Sequence, residues 1–221
     1  MNKKINLAVI FGSKSVEHEV SIITGLQFLQ NAHKEKYNLI PVYIDKFGKW
    51  FSGKALLDIN NYKNIPKLLE KSVSIGKKPL IPFLQKDLKI DIFFPAIHGT
   101  LGEDGTIQGL FEMSNIPYVG SGVTGSAVGM AKVMQKSILR QNNINVPDFM
   151  LLLREEWRED SKNFISKFEK DIGYPAVVKP ANLGSSIGIK KVKNKQELID
   201  AVELAIQFDR RIIVEDCLEN I

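Results

Sequence analysis

Residues 6–21 read Asn6-Leu7-Ala8-Val9-Ile10-Phe11-Gly12-Ser13-Lys14-Ser15-Val16-Glu17-His18-Glu19-Val20-Ser21. Asn6–Phe11 is a nearly unbroken apolar run, the pattern of a strand covered on both faces, and Gly12 ends it. Ile22, Leu26 and Leu29 then keep i, i+4, i+7 spacing, which predicts a helix over roughly 18–31. The same alternation continues outward. Leu39–Ile44 reads as a second strand, and Phe47-Gly48-Lys49-Trp50 as a turn into a short extra strand. Ile90–Ile97 reads as a third strand, ending at His98-Gly99. Ile107, Leu110 and Phe111 mark a helix, and Pro117-Tyr118-Val119 a short strand. Apolar strands alternating with helices predict an α/β domain with a parallel sheet covered on both faces.

The grammar changes after about Gly120. One helix is expected over roughly 126–142 and a strand at Phe149–Leu153. Ser161 is expected to open a helix, with Phe164, Ile165, Phe168 and Ile172 on one face. Pro175–Lys179 and Ile189–Val192 read as strands joined by a Gly/Ser loop, an antiparallel hairpin. Asn194 and Glu197 form a capping-box pattern ahead of a helix carrying Leu198, Ala201, Val202 and Ala205. Arg211–Glu215 is a last strand. This second half is therefore α+β, with the boundary placed near 121.

The chain has 221 residues, between one and two domains by length. Apolar residues make up 44% and charged residues 25%, which excludes disordered, collagen-like and coiled-coil classes. Net charge is +5. Residues 52–89 hold eight lysines against three acids, which equals the whole excess. No arginine accompanies them and they are scattered, so this segment reads as a solvated, poorly patterned excursion rather than a nucleic-acid patch. The single cysteine, Cys217, excludes an internal disulfide framework and a cysteine-based zinc site. No apolar stretch approaches a membrane span, and no signal segment is evident, so a cytoplasmic protein is expected.

Four segments concentrate polar chemistry at element ends, where ligands of open parallel sheets gather. In Gly12–Ser21, acids in a first helical turn are either dipole caps or a holder for an ammonium group. In His98–Gly105, three glycines permit tight turns near a ligand. His98 is either a structural histidine or a donor to a carboxylate or oxyanion. Glu103 and Asp104 read as caps of the following helix. Lys179–Gly188 offers a strand-end lysine and a loop of Gly184, Ser185, Ser186 and Gly188, the donor set of a phosphate cradle or a long hairpin turn. Glu215 in Glu215-Asp216-Cys217-Leu218 is either an acceptor for an adenine amine or a surface acid. Gly120–Gly125 matches G-x-G-x-x-G, but it lacks the acidic residue about 20 positions on, and a flexible hinge fits it better than nicotinamide binding. No Walker A loop is present.

Together, VIFGSKSVEHEVS (9–21), PAIHGTLGEDGTIQGLFEMSNIPYVGSGV (95–123), KP…GSSIG (179–188) and IIVED (212–216) resemble the D-alanine–D-alanine ligase family of the ATP-grasp superfamily. VYIDKFGKW (42–50) resembles the longer subfamily. The resemblance implies an N-terminal pre-ATP-grasp domain binding D-alanine (1–121), a central ATP-grasp subdomain with the phosphate loop (122–213) and the start of a C-terminal domain (214–221), most of which is missing. It implies ATP-dependent joining of two D-alanines through an acylphosphate, for peptidoglycan precursors and hence the cell wall. A D-Ala–D-lactate or D-Ala–D-Ser ligase, or a non-catalytic truncated module, is the alternative. ATP and Mg2+ (or Mn2+) are the implied cofactors. A homodimer through the N-terminal domain is implied, with neither nucleic acid nor membrane as a partner.

By motif, Glu17 is expected to hold the first D-alanine's ammonium and Val20 to touch its methyl, while His98 lies near the reacting carboxyl. Ser185 is expected to hydrogen-bond to Glu17. Ser186 and Ile187 share its loop, Ile187 standing where the family commonly has Val. Lys132 and Lys179 are expected on the ATP phosphates, Glu215 on the adenine amine, and Cys217 and Leu218 along the ring. The metal ligands are expected in the missing C-terminal part, and this chain alone is expected to be inactive.

Overall fold

The computed structural model describes residues 3–75 and 89–218. The chain divides into two compact units, Met1–Ala127 and Val128–Ile221.

In the first unit, β1 (Ile5–Gly12) is followed by α1 (His18–Asn31), β2 (Tyr37–Ile44), β3 (Trp50–Ser52), α2 (Ile65–Glu70), β4 (Val73–Ile75), β5 (Ile92–Pro95) and α3 (Thr106–Ser114). The sheet order is β4-β3-β2-β1-β5. β2 and β5 run parallel to β1, pairing Leu7 with Leu39 and with Ile92. β3 and β4 add an antiparallel edge. The two-residue period of β1 builds two cores. Leu7, Val9 and Phe11 pack with Ile22, Leu26 and Leu29 of α1, and Ala8 and Ile10 pack with Ile107 and Phe111 of α3. Helix α1 lies close to the sheet because Gly25 brings no side chain: a Cβ there would sit 2.6 Å from the Phe11 ring.

The segment expected to be poorly patterned is folded over 52–75. Leu56 and Leu68 are fully buried, Asp58 accepts from Asn60 N and Asn64 from Lys67 N, and β4 pairs with β3. Lys54, Lys63, Lys67, Lys71 and Lys89 are exposed, as a solvated basic face requires. The apolar positions there keep no single period, and the segment's order comes from caps, from one strand edge and from Leu56 and Leu68 packing into the core with Leu7, Val9 and Phe11. Lys77, Lys78, Lys86 and Asp87 lie outside the described residues. Pro117–Val119 forms only a single bridge, Phe93 to Tyr118, rather than a strand.

Between and into the second unit run α4 (Val123–Met130) and α5 (Lys132–Gln141), so the single helix expected over 126–142 is two. Ala131 is extended, and Lys132 N donates to Ala181 O at 3.0 Å instead of continuing a helix. Gly120 has φ +121, while Val123–Gly125 is helical, so only the front of the glycine motif is irregular.

The second unit continues with β6 (Phe149–Leu153), α6 (Arg154–Asp171), β7 (Ala176–Pro180), β8 (Lys190–Val192), α7 (Lys195–Ala205) and β9 (Arg211–Asp216). Its sheet order is β6-β9-β7-β8, all antiparallel. Helix α6 starts seven residues before the expected Ser161. It has a non-helical residue at Asp160, whose carboxylate accepts from Asn163 N at 3.0 Å, so the expected start is a second cap inside a broken helix. Trp157 holds the early part down, donating to Glu203 at 2.7 Å. Asn194 caps α7, accepting from Glu197 N at 3.0 Å, and Glu197 accepts from Lys193 N in return. Leu152, Leu198, Ile212 and Val214 form the floor of this unit's core.

Candidate active site

The amino-acid side of the candidate site lies where β1 and β5 end. Gly12 turns the chain, and its N–H donates to Ser21 Oγ at 2.7 Å. Ser21 Oγ in turn donates to Ala96 O at 2.7 Å, tying the α1 entry to the end of β5. Ser15 Oγ accepts from Glu17 N at 3.1 Å, so the serines shape the turn that presents Glu17. The Glu17 carboxylate rests against Gly99. A Cβ on Gly99 would lie 2.0 Å from Glu17 Oε2 and 2.9 Å from Ser15 Oγ, and Gly99 has φ +70, so glycine alone fits.

The three neighbouring titratable groups are separated by their partners. Glu19 pairs with Lys46 at 2.5 Å, and that ammonium lowers its carboxyl pKa. His18 is buried, its Nδ1 2.5 Å from Ser13 O and its Nε2 3.1 Å from Tyr43 Oη. It is thus part of the core that seats the turn. Glu17 is the acid set in the turn itself. His98 lies three residues past β5 and immediately before Gly99, with Nε2 2.9 Å from Thr24 Oγ1 and Nδ1 3.9 Å from Glu103 Oε1. Glu103 also accepts from Gly99 N and Asp104 from Leu101 N and Thr106 N, so Glu103 braces the loop and only Asp104 reaches the first residue of α3, the helix both were expected to cap; its N-cap, Gly105, has no side chain to do so. Val20 is 53% exposed on the first turn of α1.

The second unit holds a lysine-rich cluster. Lys132 opens α5, and its Nζ donates to Leu183 O at 2.5 Å. Burial, and after it the nearby Lys179 charge, holds its ammonium pKa below the ordinary lysine value. Lys179, at the end of β7, donates to Glu215 Oε1. Glu215 is only 6% exposed and stands on β9 opposite Val177 and Phe149, so it is a buried carboxylate, not a surface acid. The Asn182–Gly188 loop takes left-handed backbone at Ser185 (φ 52), Ser186 (φ 58) and Gly188 (φ 71). Its root is fixed by Asp209, which accepts from Asn182 N at 2.7 Å, and by Arg211, which donates to Asn182 Oδ1. Ser185 and Ser186 are exposed and Ile187 is partly buried. Cys217 N donates to Pro175 O at 3.2 Å, and Leu218 is exposed.

The geometry adds residues the sequence did not single out. Lys136 lies 2.9 Å from Glu215 Oε2, and four-residue spacing from Lys132 was the available signal. Thr24 and Asp209 had no such signal, since their partners are 74 and 27 residues away. Among the described residues, no group of three or more His, Cys, Asp and Glu could hold a metal ion. No helix among them is long and apolar enough to cross a membrane.

Comparison with known proteins gives the arrangement a context. The family described as D-ala D-ala ligase N-terminus matches residues 6–121, and D-ala D-ala ligase C-terminus matches 138–221. A D-alanine–D-alanine ligase of Natranaerobius thermophilus is 44% identical over 97% of this chain and 60% of its own length. Among solved structures, the VanG D-Ala:D-Ser ligase of Enterococcus faecalis is 30% identical with a TM-score of 0.83, over 99% of this chain and 64% of that one. The D-alanine–D-alanine ligase of Bacillus anthracis complexed with ATP is 32% identical with a TM-score of 0.70, over 99% and 58%. The chain therefore spans about 60% of the length of the curated relatives it matches. With one family model covering more than half of the chain and a second continuing to its last residue, this chain belongs to the D-alanine–D-alanine ligase family.

Proposed function

We propose that this chain carries the first D-alanine pocket and the nucleotide face of an ATP-dependent ligase that joins two D-alanines for peptidoglycan precursors in the cytoplasm. The observation that carries this reading is the Glu17 carboxylate seated against Gly99, the residue that follows His98. A carboxylate held there suits an ammonium group, and His98 suits an oxyanion. Lys132 and Lys179 supply point charges for phosphates, with the Ser185-Ser186-Ile187 loop giving further donors. Glu215 accepts from the adenine amine, while Cys217 and Leu218 border the ring. The parts are 1–121 for D-alanine, 122–213 for phosphates and 214–221 for the opening of a third part, of which residues 219–221 lie outside the described residues.

In this reading Glu17, His98 and Ser185 serve catalysis. The first D-alanine carboxylate attacks the γ-phosphorus of ATP, breaking its bond to the β-phosphate oxygen. Acylphosphate and ADP result. The amine of the second D-alanine then attacks the acyl carbon, expels phosphate and loses a proton. Residues of this chain contribute orientation and charge neutralisation, which is what phosphoryl transfer chiefly asks of a protein. The described residues do not fit a magnesium site, so no step is routed through one. Homodimerisation through residues 1–121 belongs to the same proposal.

The similarity to a D-Ala:D-Ser ligase keeps D-serine as a second reading for the acceptor. The test supplies the protein at the full length of its relatives, since residues 1–221 alone are expected to be inactive, with ATP, magnesium and D-alanine, and with D-serine and D-lactate as competing second substrates. The expected result is D-alanyl-D-alanine and ADP in equal amounts, with the first-site D-alanine KM raised at least about tenfold in Glu17→Gln, the loss of one charged hydrogen bond. An unchanged KM and turnover in that variant removes Glu17 from the site.

A further inference from the structure

Glu215 is met by two ammonium groups, and the proposed function uses only one of them. Lys179 donates to Oε1, and Lys136 lies 2.9 Å from Oε2 with its side chain 12% exposed. Lys136 stands one turn beyond Lys132 on α5, and its Nζ lies 5.7 Å from the centre of the Phe149 ring. The ring sits on β6 directly across from Glu215. Lys136 is therefore enclosed between an aromatic face and a buried carboxylate, with no exposed site of its own to serve.

When Lys179 turns to a phosphate, Glu215 loses half of its neutralisation while still buried. A buried carboxylate left without a cation is costly, so the second ammonium keeps the site in place. A carboxylate only accepts hydrogen bonds. That matters at position 6 of a purine, where an amino group donates and an oxo group accepts.

We propose that Lys136 is a positioning residue that pairs with Glu215 Oε2 and holds the carboxylate in place, leaving Oε1 as the acceptor that selects a 6-amino over a 6-oxo purine nucleotide. This rests on the reading of Glu215 as the adenine acceptor. Lys136 touches neither the base nor the phosphates. It acts through Glu215, in the way a hydrogen-bond donor orients a metal or substrate ligand from behind.

Calorimetric binding of ATP and of inosine triphosphate to the purified protein, compared with K136M, K136R and E215Q, tests it. In K136M, ATP binding is expected to weaken about tenfold or more and the ATP-to-ITP preference to collapse, because a buried carboxylate loses the ion pair that holds it. K136R is expected to restore the preference, and D-alanine binding to stay unchanged in both variants. If K136M does not fold, K136Q, which keeps the stem and a donor without the charge, is expected to lose the preference in its place. An equal loss of both affinities, or a preference that survives K136M, overturns the proposal because a purely structural lysine gives that result. A preference that survives E215Q removes instead the adenine reading on which the proposal stands.

Discussion

Gly99→Ala tests the amino-acid side of the site with one methyl group. The new Cβ would lie 2.0 Å from Glu17 Oε2, whereas ordinary contact begins near 3.4 Å, so the carboxylate must retreat by about 1.4 Å or the loop must move. The backbone adds to this, since φ +70 at Gly99 costs a non-glycine residue about 1–2 kcal/mol. Ser15 Oγ, 2.9 Å from the same Cβ, closes the alternative direction, and Ser15 also accepts from Glu17 N. The two effects have different readouts. Backbone strain lowers the melting temperature by several degrees, at about 2–4 °C per kcal/mol for a protein of this size. Displacement of Glu17 removes a charged hydrogen bond worth about 1.5–3 kcal/mol, which is about 10- to 150-fold in D-alanine affinity. Calorimetric titration with D-alanine gives the second effect, and titration with ATP is the internal control expected to remain within about twofold, the margin of a change well below 1 kcal/mol. D-Alanine affinity unchanged beside a lowered melting temperature would refute the reasoning, because the clash would then be absorbed without moving the carboxylate from its task.

Two further predictions concern the second unit. Burial holds the Lys132 pKa below its unfolded value near 10.5, so the unfolded chain binds more protons. Stability therefore rises with pH in the window between the lowered value and 10.5, while ATP affinity falls over the same window as the ammonium is lost. Melting and ATP titrations of the wild type and of Lys132→Arg, which stays charged, check this; a flat wild-type profile through that window refutes it. Asn194→Ala removes the cap that accepts from Glu197 N and is expected to cost about 1 kcal/mol in urea unfolding, with nucleotide binding unchanged.

Much of the secondary structure was legible because its causes are local. The run Leu7–Phe11 is apolar on both faces and lies in the middle of a parallel sheet. Phe149–Leu153 and Asn194 fall where apolar run and cap chemistry place them. The failures share a cause as well. The apolar residues of 52–75 follow no single strand or helix period, yet Leu56 and Leu68 are buried against Leu7, Val9 and Phe11 far away in the chain. The break at Ala131 follows from a carbonyl 49 residues on taking the Lys132 N–H, and nothing in residues 126–142 announces it.

The sequence by itself determined the alternation of strands and helices, the turn chemistry at Gly12 and Gly99, and the motif set that ties the chain to its family. Tertiary structure decided which partners each charge has. Glu17 and Glu19 are near-equivalent in the text, but Lys46 lies 27 residues from Glu19 and takes it out of the site. Glu215 could have been a surface acid until β6 and β7 enclosed it and Lys136 and Lys179 closed on its two oxygens. Periodicity and caps report a residue's neighbours along the chain. Burial and ion pairing depend on neighbours that only folding brings together, and these set what a carboxylate or an ammonium can do.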